Sequence, residues 1–174
     1  TIRLVENLLS LSRIDNEKLT VKKKPEALEE IVPQAVRTVS GKLGGRTVHY
    51  DMPEELLLVP MDATLIMQVL CNILDNAAKH GGSGKRIIAS LRREADNYVI
   101  RIRDFGPGIP PAELPYVKQK FYKGSSKARG SGIGLAVCDE IITRHGGTFE
   151  IGNADGGGAL VTITLPIPPH TEHR

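Results

Sequence analysis

The sequence predicts an α+β domain, and three observations carry that prediction. Residues 26–40, 62–80 and 134–145 repeat apolar side chains at i, i+3 and i+4, the pattern of helices with one buried face. Lys85–Arg93 with Asn97–Asp104, and Thr148–Gly152 with Ala159–Leu165, alternate apolar and polar residues in pairs joined by short turns, as hairpin strands do. Strand pairs separated by helices suit a sheet that buries one face against a helical layer.

Composition sets bounds on function. The 174 residues suffice for one full domain with an appendage. Hydrophobic content of 40%, charged content of 25% and a net charge of +3 are ordinary for a soluble globular chain. Aromatics make up 4% with no Trp, which argues against a base-stacking nucleic-acid platform. No run approaches the roughly 18 apolar residues of a membrane span, and no stretch has the pattern of a secretory signal. Cys71 and Cys138 lie on apolar helical patterns far apart in sequence. They are expected to be buried, reduced thiols rather than a disulfide or metal ligands.

In chain order, Ile2, Val5, Leu8, Leu9 and, beyond a Ser-rich turn, Ile14 form an apolar stripe on a helix too short to be stable alone. A partner helix is expected to cover it. The chain opens on Thr1 in mid-helix pattern, which predicts a fragment of a longer protein. Leu19–Lys23 reads as a short strand, and Pro25 as the opening of a helix from Glu26 to about Ser40. Pro33 calls for a late start or a kink in that helix. Thr47–Met52 and Leu56–Val59 read as strands, Asp62 as the N-cap of the next helix and Gly81-Gly82 as its stop. Ala112–Lys118 reads as a short helix, Gly124–Ser131 as a mobile loop, Gly146-Gly147 as a helix end and the segment after Pro166 as a disordered tail.

The helix through Met67–His80 is the least ordinary stretch. At about 100° per residue, Gln68, Asn72, Asn76 and Lys79 fall in one stripe, opposite Ile66, Leu70, Ile73, Leu74 and Ala77. Asn competes with the backbone for hydrogen bonds and is a mediocre helix former. Two of them one turn apart read either as a solvated face or as a surface for a polar ligand, with amide oxygens for a hard cation and Lys79 for an anion.

Alternation along the second hairpin strand puts Asp104 on the same face as Tyr98, Ile100 and Ile102. An inward carboxylate is costly without partners; it either caps the following turn or awaits a ligand. Phe105–Pro111 is irregular, and Gly106 and Gly108 let a backbone approach a flat ligand closely. Gly130-Ser131-Gly132-Ile133-Gly134-Leu135 leads into a helix whose N-terminal amides favour an anion. No Gly-Lys-Ser/Thr follows, which excludes a P-loop. The glycine spacing and the preceding Lys/Ser/Arg loop exclude a Rossmann fingerprint.

Four pieces thus stand in order: Asn72-x-x-x-Asn76-Ala77 with Lys79 and His80; Asp104-x-Gly106-x-Gly108-Ile109; Phe121-Tyr122-Lys123; and Gly130-x-Gly132-x-Gly134-Leu135-Ala136. Together they resemble the N, G1, F and G2 boxes of the catalytic, ATP-binding domain of bacterial sensor histidine kinases, over roughly Leu28 to Pro166. The resemblance implies a two-layer α/β sandwich of the Bergerat type, a mixed sheet backed by helices. Residues 1–15 would be the end of a dimerisation and phosphoacceptor hairpin, 16–27 a linker with the first strand, 28–167 the catalytic domain and 168–174 a tail. It implies ATP and Mg²⁺ as cofactors, with Asn76 as the metal ligand, Asn72 beside it and Lys79 reaching the phosphates. Asn76 and Lys79 would carry the chemistry. His80 stands where relatives often have Tyr. Asp104 would accept the adenine amino group, with Gly106, Gly108 and Ile109 shaping the base pocket. Phe121, Tyr122 and Lys123 would lie near the nucleotide, Lys123 in place of a common Arg. Gly130, Ser131, Gly132, Ile133, Gly134 and Leu135 would form the lid hinge.

The implied function is to present Mg-ATP for phosphoryl transfer to a histidine on a hairpin absent from this chain. None of His49, His80, His145, His170 and His173 has the family's phosphoacceptor context. The implied partners are the protein's own dimerisation hairpin, as a homodimer, and a response-regulator receiver domain, with no nucleic acid. The parent protein would sit at the inner membrane with this portion in the cytoplasm. Two rival readings stand beside this one. An ATPase clamp of the gyrase type would need a Glu in the N box, where this sequence has Asn72 and Asp75 but no Glu. A non-catalytic module would keep the fold and use the lid to bind a partner.

Overall fold

The computed structural model describes residues 2–54, 57–80, 85–118 and 133–168. Its elements are α1 (Ile2–Asp15), β1 (Lys24–Ala27), α2 (Leu28–Thr38), β2 (Thr47–Asp51), β3 (Leu58–Met61), α3 (Ala63–His80), β4 (Arg86–Glu94), β5 (Asn97–Asp104), α4 (Gly134–Arg144), β6 (Thr148–Asn153) and β7 (Ala159–Pro166). Single 3-10 turns lie at Ser40–Lys42 and Leu114–Tyr116. The main sheet has the order β2-β4-β5-β7-β6, with β2 parallel to β4 and the other pairs antiparallel; β1 and β3 form a separate antiparallel ribbon. This is the mixed, helix-backed α+β sandwich that the sequence predicts.

Cross-strand register explains the sheet's buried face. Leu91 opposes Ile100, Ile100 opposes Ile163, and Ile163 opposes Phe149, so one apolar row crosses four strands. Ala89, Ile102, Val161 and Ile151 make the next. Such aligned rows are the unit of sheet stabilisation. On the opposite face Arg92 and Arg101 pair with Asp51 and Glu94, at sites exposed enough that each pair contributes little. In the row where Ile87 opposes Asp104, the apolar series gives way to a carboxylate.

α3 is the centre of the helical layer, flanked by α2 and α4. Leu70, Leu74, Val69 and Ile66 are at most 1% exposed. The Cys71 thiol lies against the carbonyl of Ala35 in α2, and the Cys138 thiol of α4 against that of Val69. Burial pushes the Cys138 thiol up to about 12, the state of an inert packing group. Among the described residues no helix is long and apolar enough to cross a membrane.

Helix ends follow local chemistry. Asp62 caps α3, its Oδ1 accepting from the Leu65 N–H at 3.3 Å, while its Oδ2 accepts from the Lys22 N–H at 3.0 Å. α4 closes in a Schellman turn: Gly146, at φ +82°, donates to Thr143 O, and Gly147 to Ile142 O. A Cβ on Gly147 would lie 1.9 Å from Thr164 O, so only glycine lets the helix end turn against β7.

Several expectations are corrected. The first helix runs unbroken through Ser10 and Ser12, with no turn there. Val5, Leu8 and Leu9 are 54%, 46% and 52% exposed, whereas Asn7, Ser10, Leu11 and Ile14 face inward. Those four also follow the spacing i, i+3, i+4, i+7, and the available partners chose between the two stripes. The strand expected at Leu19–Lys23 forms instead at Lys24–Ala27, because the β3 backbone is there to pair with it. Pro25 therefore lies in a strand, opposite Pro60, and α2 begins at Leu28, whose N–H donates to Leu57 O. Pro33 stays inside α2. The helix expected at Ala112–Lys118 is only the 3-10 turn Leu114–Tyr116, where Pro115 has no N–H to extend the ladder. β3 is Leu58–Met61, two residues later than read. The Gly81-Gly82 stop, the Gly124–Ser131 loop and residues 169–174 lie outside the described residues.

His145, 1% exposed, links these parts. Its Nδ1 meets Ile141 O at 2.8 Å, and its Nε2 accepts from the Asp62 N–H at 3.0 Å. The accepting Nε2 requires the neutral tautomer with the proton on Nδ1. Burial lowers its pKa, Lys23 adds to that shift, and the Ile141 carbonyl and Asp62 oppose it. A depressed histidine contributes stability that is complete above its ordinary pKa of 6.5 and is lost as pH falls below it toward the folded-state value. Denaturant midpoints should therefore decline on acidification below pH 6.5, and His145→Gln should flatten that part of the profile. An unchanged slope in the variant would remove His145 as the cause.

Candidate functional site

Asp104 ends β5 on the core side and is 5% exposed. Its Oδ1 accepts from the Gly106 N–H at 3.0 Å and from the Ala159 N–H at 3.1 Å. The carboxylate therefore caps its own turn and also ties that turn to the start of β7. Oδ2 accepts from no described residue. The ring of the next side chain, Phe105, carries the guanidinium groups of Arg86 and Arg103 over it, at 4.4 and 4.3 Å from the centroid. Arg103 also donates to Gly157 O.

The loop after Asp104 is fixed from across the sheet. Gly108 has φ +79°, a conformation few side chains adopt. Asn153, the last residue of β6, accepts from the Ile109 N–H at 2.7 Å and donates to Ile109 O at 2.9 Å. Gly158, at φ +86°, packs so closely that a Cβ there would lie 1.9 Å from Asp104 O.

The polar side of α3 divides in two. Its N-terminal half is taken by α1. Asn7 Nδ2 donates to Asn72 Oδ1 at 3.2 Å, and Asn72 Nδ2 donates to Asn7 Oδ1 at 2.9 Å. Gln68 donates to the same Asn7 oxygen at 3.0 Å and accepts from Ser10 Oγ at 3.2 Å. Asn72 also donates to Gly134 O, and Gly134 lies beside both Asn7 and Asn72. Among the described residues nothing takes up the C-terminal half in the same way: Asn76 is half-buried and its side chain hydrogen-bonds to none of them. Lys79 is ion-paired at 3.2 Å with Asp75, one turn back, and its side chain is 39% exposed.

Of the residues singled out in the sequence, Asn72 and Gly134 meet where α3 approaches the start of α4, Leu135 follows in α4 packed against the core, and Gly106, Gly108 and Ile109 follow β5, over which α3 packs. Ile133 is fully buried, its carbonyl accepting the Val137 N–H, so its side chain belongs to the core. The side chain of His80, and Phe121, Tyr122, Lys123, Gly130, Ser131 and Gly132, lie outside the described residues. Sequence reading missed Asn7, Asn153 and Gly158. Asn7 carried a signal, its helical spacing to Ser10, Leu11 and Ile14. Asn153 and Gly158 stood beside a glycine-rich turn that reads as a simple connection.

Residues 61–169 match the family described as histidine kinase-, DNA gyrase B- and HSP90-like ATPase. The chain belongs to that family. The sensor protein KdpD of Clostridium acetobutylicum is 37% identical over 169 residues, covering 95% of this chain and 19% of that protein. KdpD of Escherichia coli is 36% identical over 168 residues, again 95% and 19%. The Acinetobacter baumannii histidine kinase AdeS superposes with a TM-score of 0.76 at 26% identity, covering 94% of this chain and 77% of that one. Within the family, then, this is a catalytic ATP-binding domain of the sensor-kinase kind. The chain spans about a fifth of the length of the KdpD relatives it matches.

Asn7 gives a direct test of the polar contact. Removing its amide leaves Asn72 and Gln68 short of buried partners, and each such loss costs about 1–3 kcal/mol. Asn7→Ala should lower stability by that order in chemical denaturation, whereas Leu8→Ala, on the exposed side of α1, should change it by less than about 0.5 kcal/mol. Equal effects would show that the amide contact does not hold α1.

Proposed function

We propose that this chain holds Mg-ATP between the inner end of β5 and the open part of the α3 polar side. The protein containing it would transfer the γ-phosphoryl group to a histidine on a helical hairpin. The observation that carries this reading is the Asp104 carboxylate. Oδ1 is oriented by two backbone N–H groups from separate segments, which leaves Oδ2 to accept from a purine amino group. Such an acceptor selects adenine. Guanine would set a carbonyl oxygen against the carboxylate, and a buried unmatched polar pair is strongly rejected.

For the metal, no group of three or more His, Cys, Asp or Glu suited to hold an ion occurs among the described residues. That fits a Mg²⁺ bound chiefly through phosphate oxygens and water, with the Asn76 amide oxygen as a protein ligand. When bound, the ion would neutralise charge building on the phosphates. The chain's own residues would orient the nucleotide: Asp104 fixes the base, Asn76 the triphosphate, and Lys79 turns from Asp75 toward a phosphate oxygen. In phosphoryl transfer such positioning and charge stabilisation are most of the catalysis.

The same reading makes α1 the end of the hairpin's second helix. It gives the protein a response-regulator receiver domain as the acceptor of the phosphoryl group, and places the full-length protein at the inner membrane with this domain in the cytoplasm. The names of relatives as sensor proteins support these assignments.

In calorimetry Asp104→Ala should weaken ATP at least about 10-fold, the loss of a charge-assisted hydrogen bond. Asn76→Ala should reduce only the Mg²⁺-dependent part of the affinity. Unchanged binding in the first, or equal losses with and without metal in the second, would overturn the corresponding role. Mixing the chain, Mg-ATP and the hairpin of the full-length protein should yield acid-labile phosphohistidine. Its absence, with ATP bound, would remove the kinase assignment.

A further inference from the structure

Asn153 holds both polar backbone atoms of Ile109, accepting from the N–H at 2.7 Å and donating to the carbonyl at 2.9 Å. A planar amide used this way copies one rung of a strand ladder, and it sets the height and tilt of the loop it grips. The loop is seated directly on it: a Cβ on Gly108 would lie 2.7 Å from Asn153 Oδ1. Asn153 is itself fixed, as the last β6 residue in register with β7, opposite Ala159.

That same short stretch, 153–159, also governs Asp104. Ala159 donates its N–H to Oδ1, Gly158 packs against the Asp104 carbonyl, and Gly157 O receives the Arg103 guanidinium. The turn is closed on itself by Ala154 N–H to Gly158 O at 2.8 Å and Gly157 N–H to Ala154 O at 3.1 Å. Both walls of the base pocket, the carboxylate and the loop of Gly106–Ile109, are therefore referenced to one turn. Among the described residues, the other hydrogen bonds that tie the loop to that turn run through Asp104.

We infer that Asn153 is a positioning residue for the nucleotide base, holding Gly108 and Ile109 at the spacing from Asp104 that an adenine ring requires. This rests on the reading of Asp104 as the base acceptor. Asn153 acts through the loop and not by touching the phosphates. Its loss should be felt equally by every adenine nucleotide, whatever the metal.

Calorimetry on the full chain with ADP and with ATP, each with Mg²⁺ and with EDTA, tests this. Asn153→Ala should weaken all four affinities by a common factor of about 3–10, the effect of two hydrogen bonds partly open to water. Asn153→Asp keeps the acceptor for the Ile109 N–H but faces its carbonyl with an oxygen, and should bind no better than the alanine variant. Thermal midpoints should stay within about 2 °C of the parent, since the contact is exposed. If the parent chain itself binds no adenine nucleotide, the reading of Asp104 fails. If the parent binds and Asn153→Ala binds equally well, the inference about Asn153 fails. A loss confined to ATP with Mg²⁺, or one accompanied by a large fall in melting temperature, also overturns it.

Discussion

A carboxylate at the inner end of a core strand is the constraint on which the rest of the site depends. At 5% exposed, the polar Asp104 side chain would be costly to bury without partners. Two backbone N–H groups supply them, and each imposes a condition on the chain. The Gly106 N–H is reached only if the chain turns at once after β5. The Ala159 N–H is reached only if the β6–β7 hairpin closes tightly enough to bring Gly158 onto the Asp104 carbonyl, which a side chain at 158 would prevent. The sheet order, the glycine-rich turn and the irregular loop all satisfy one local demand.

The helical layer meets a second demand, set by polar groups in its interior. α1 docks on α3 through amides and a hydroxyl instead of through its most apolar stripe. Each member of this cluster finds a partner, which makes burying it tolerable and makes its geometry specific. The contact also joins three helices: Asn72 binds α1 through Asn7 and the start of α4 through Gly134. Any displacement of α1 would require Asn72 to find other partners beside the open stretch that holds Asn76.

His145 and Asp62 show how the helices of this layer are kept in register. The Asp62 carboxylate caps α3, its backbone N–H binds the imidazole at the end of α4, and Lys23 reaches the His145 carbonyl from the segment before β1. Helix termini, usually the loosest parts of a layer, are here bonded to one another. The start of α3 is thereby anchored to the end of α4.

Much of this was written in the sequence. The alternation of Tyr98, Ile100, Ile102 and Asp104 fixed which face of β5 is buried, because a strand's period of two allows no compromise. The apolar pattern of α3, its Asp62 cap and the Gly146-Gly147 stop were equally legible, being decided within one or two turns of chain. What the sequence alone could not decide was which partners distant polar groups would find. Ile2, Val5, Leu8, Leu9 and Ile14 offered one stripe for α1 and Asn7, Ser10, Leu11 and Ile14 another; Ile14 is buried in either, and the amides of α3 selected the second. Asn72 and Asn76 are the same residue type one turn apart, yet α1 engages one, while the side chain of the other has no hydrogen-bond partner among the described residues. Residue type and local spacing set what each group can do, while the packing of elements far apart in the chain decides which hydrogen bonds are satisfied within the fold and which remain for a ligand.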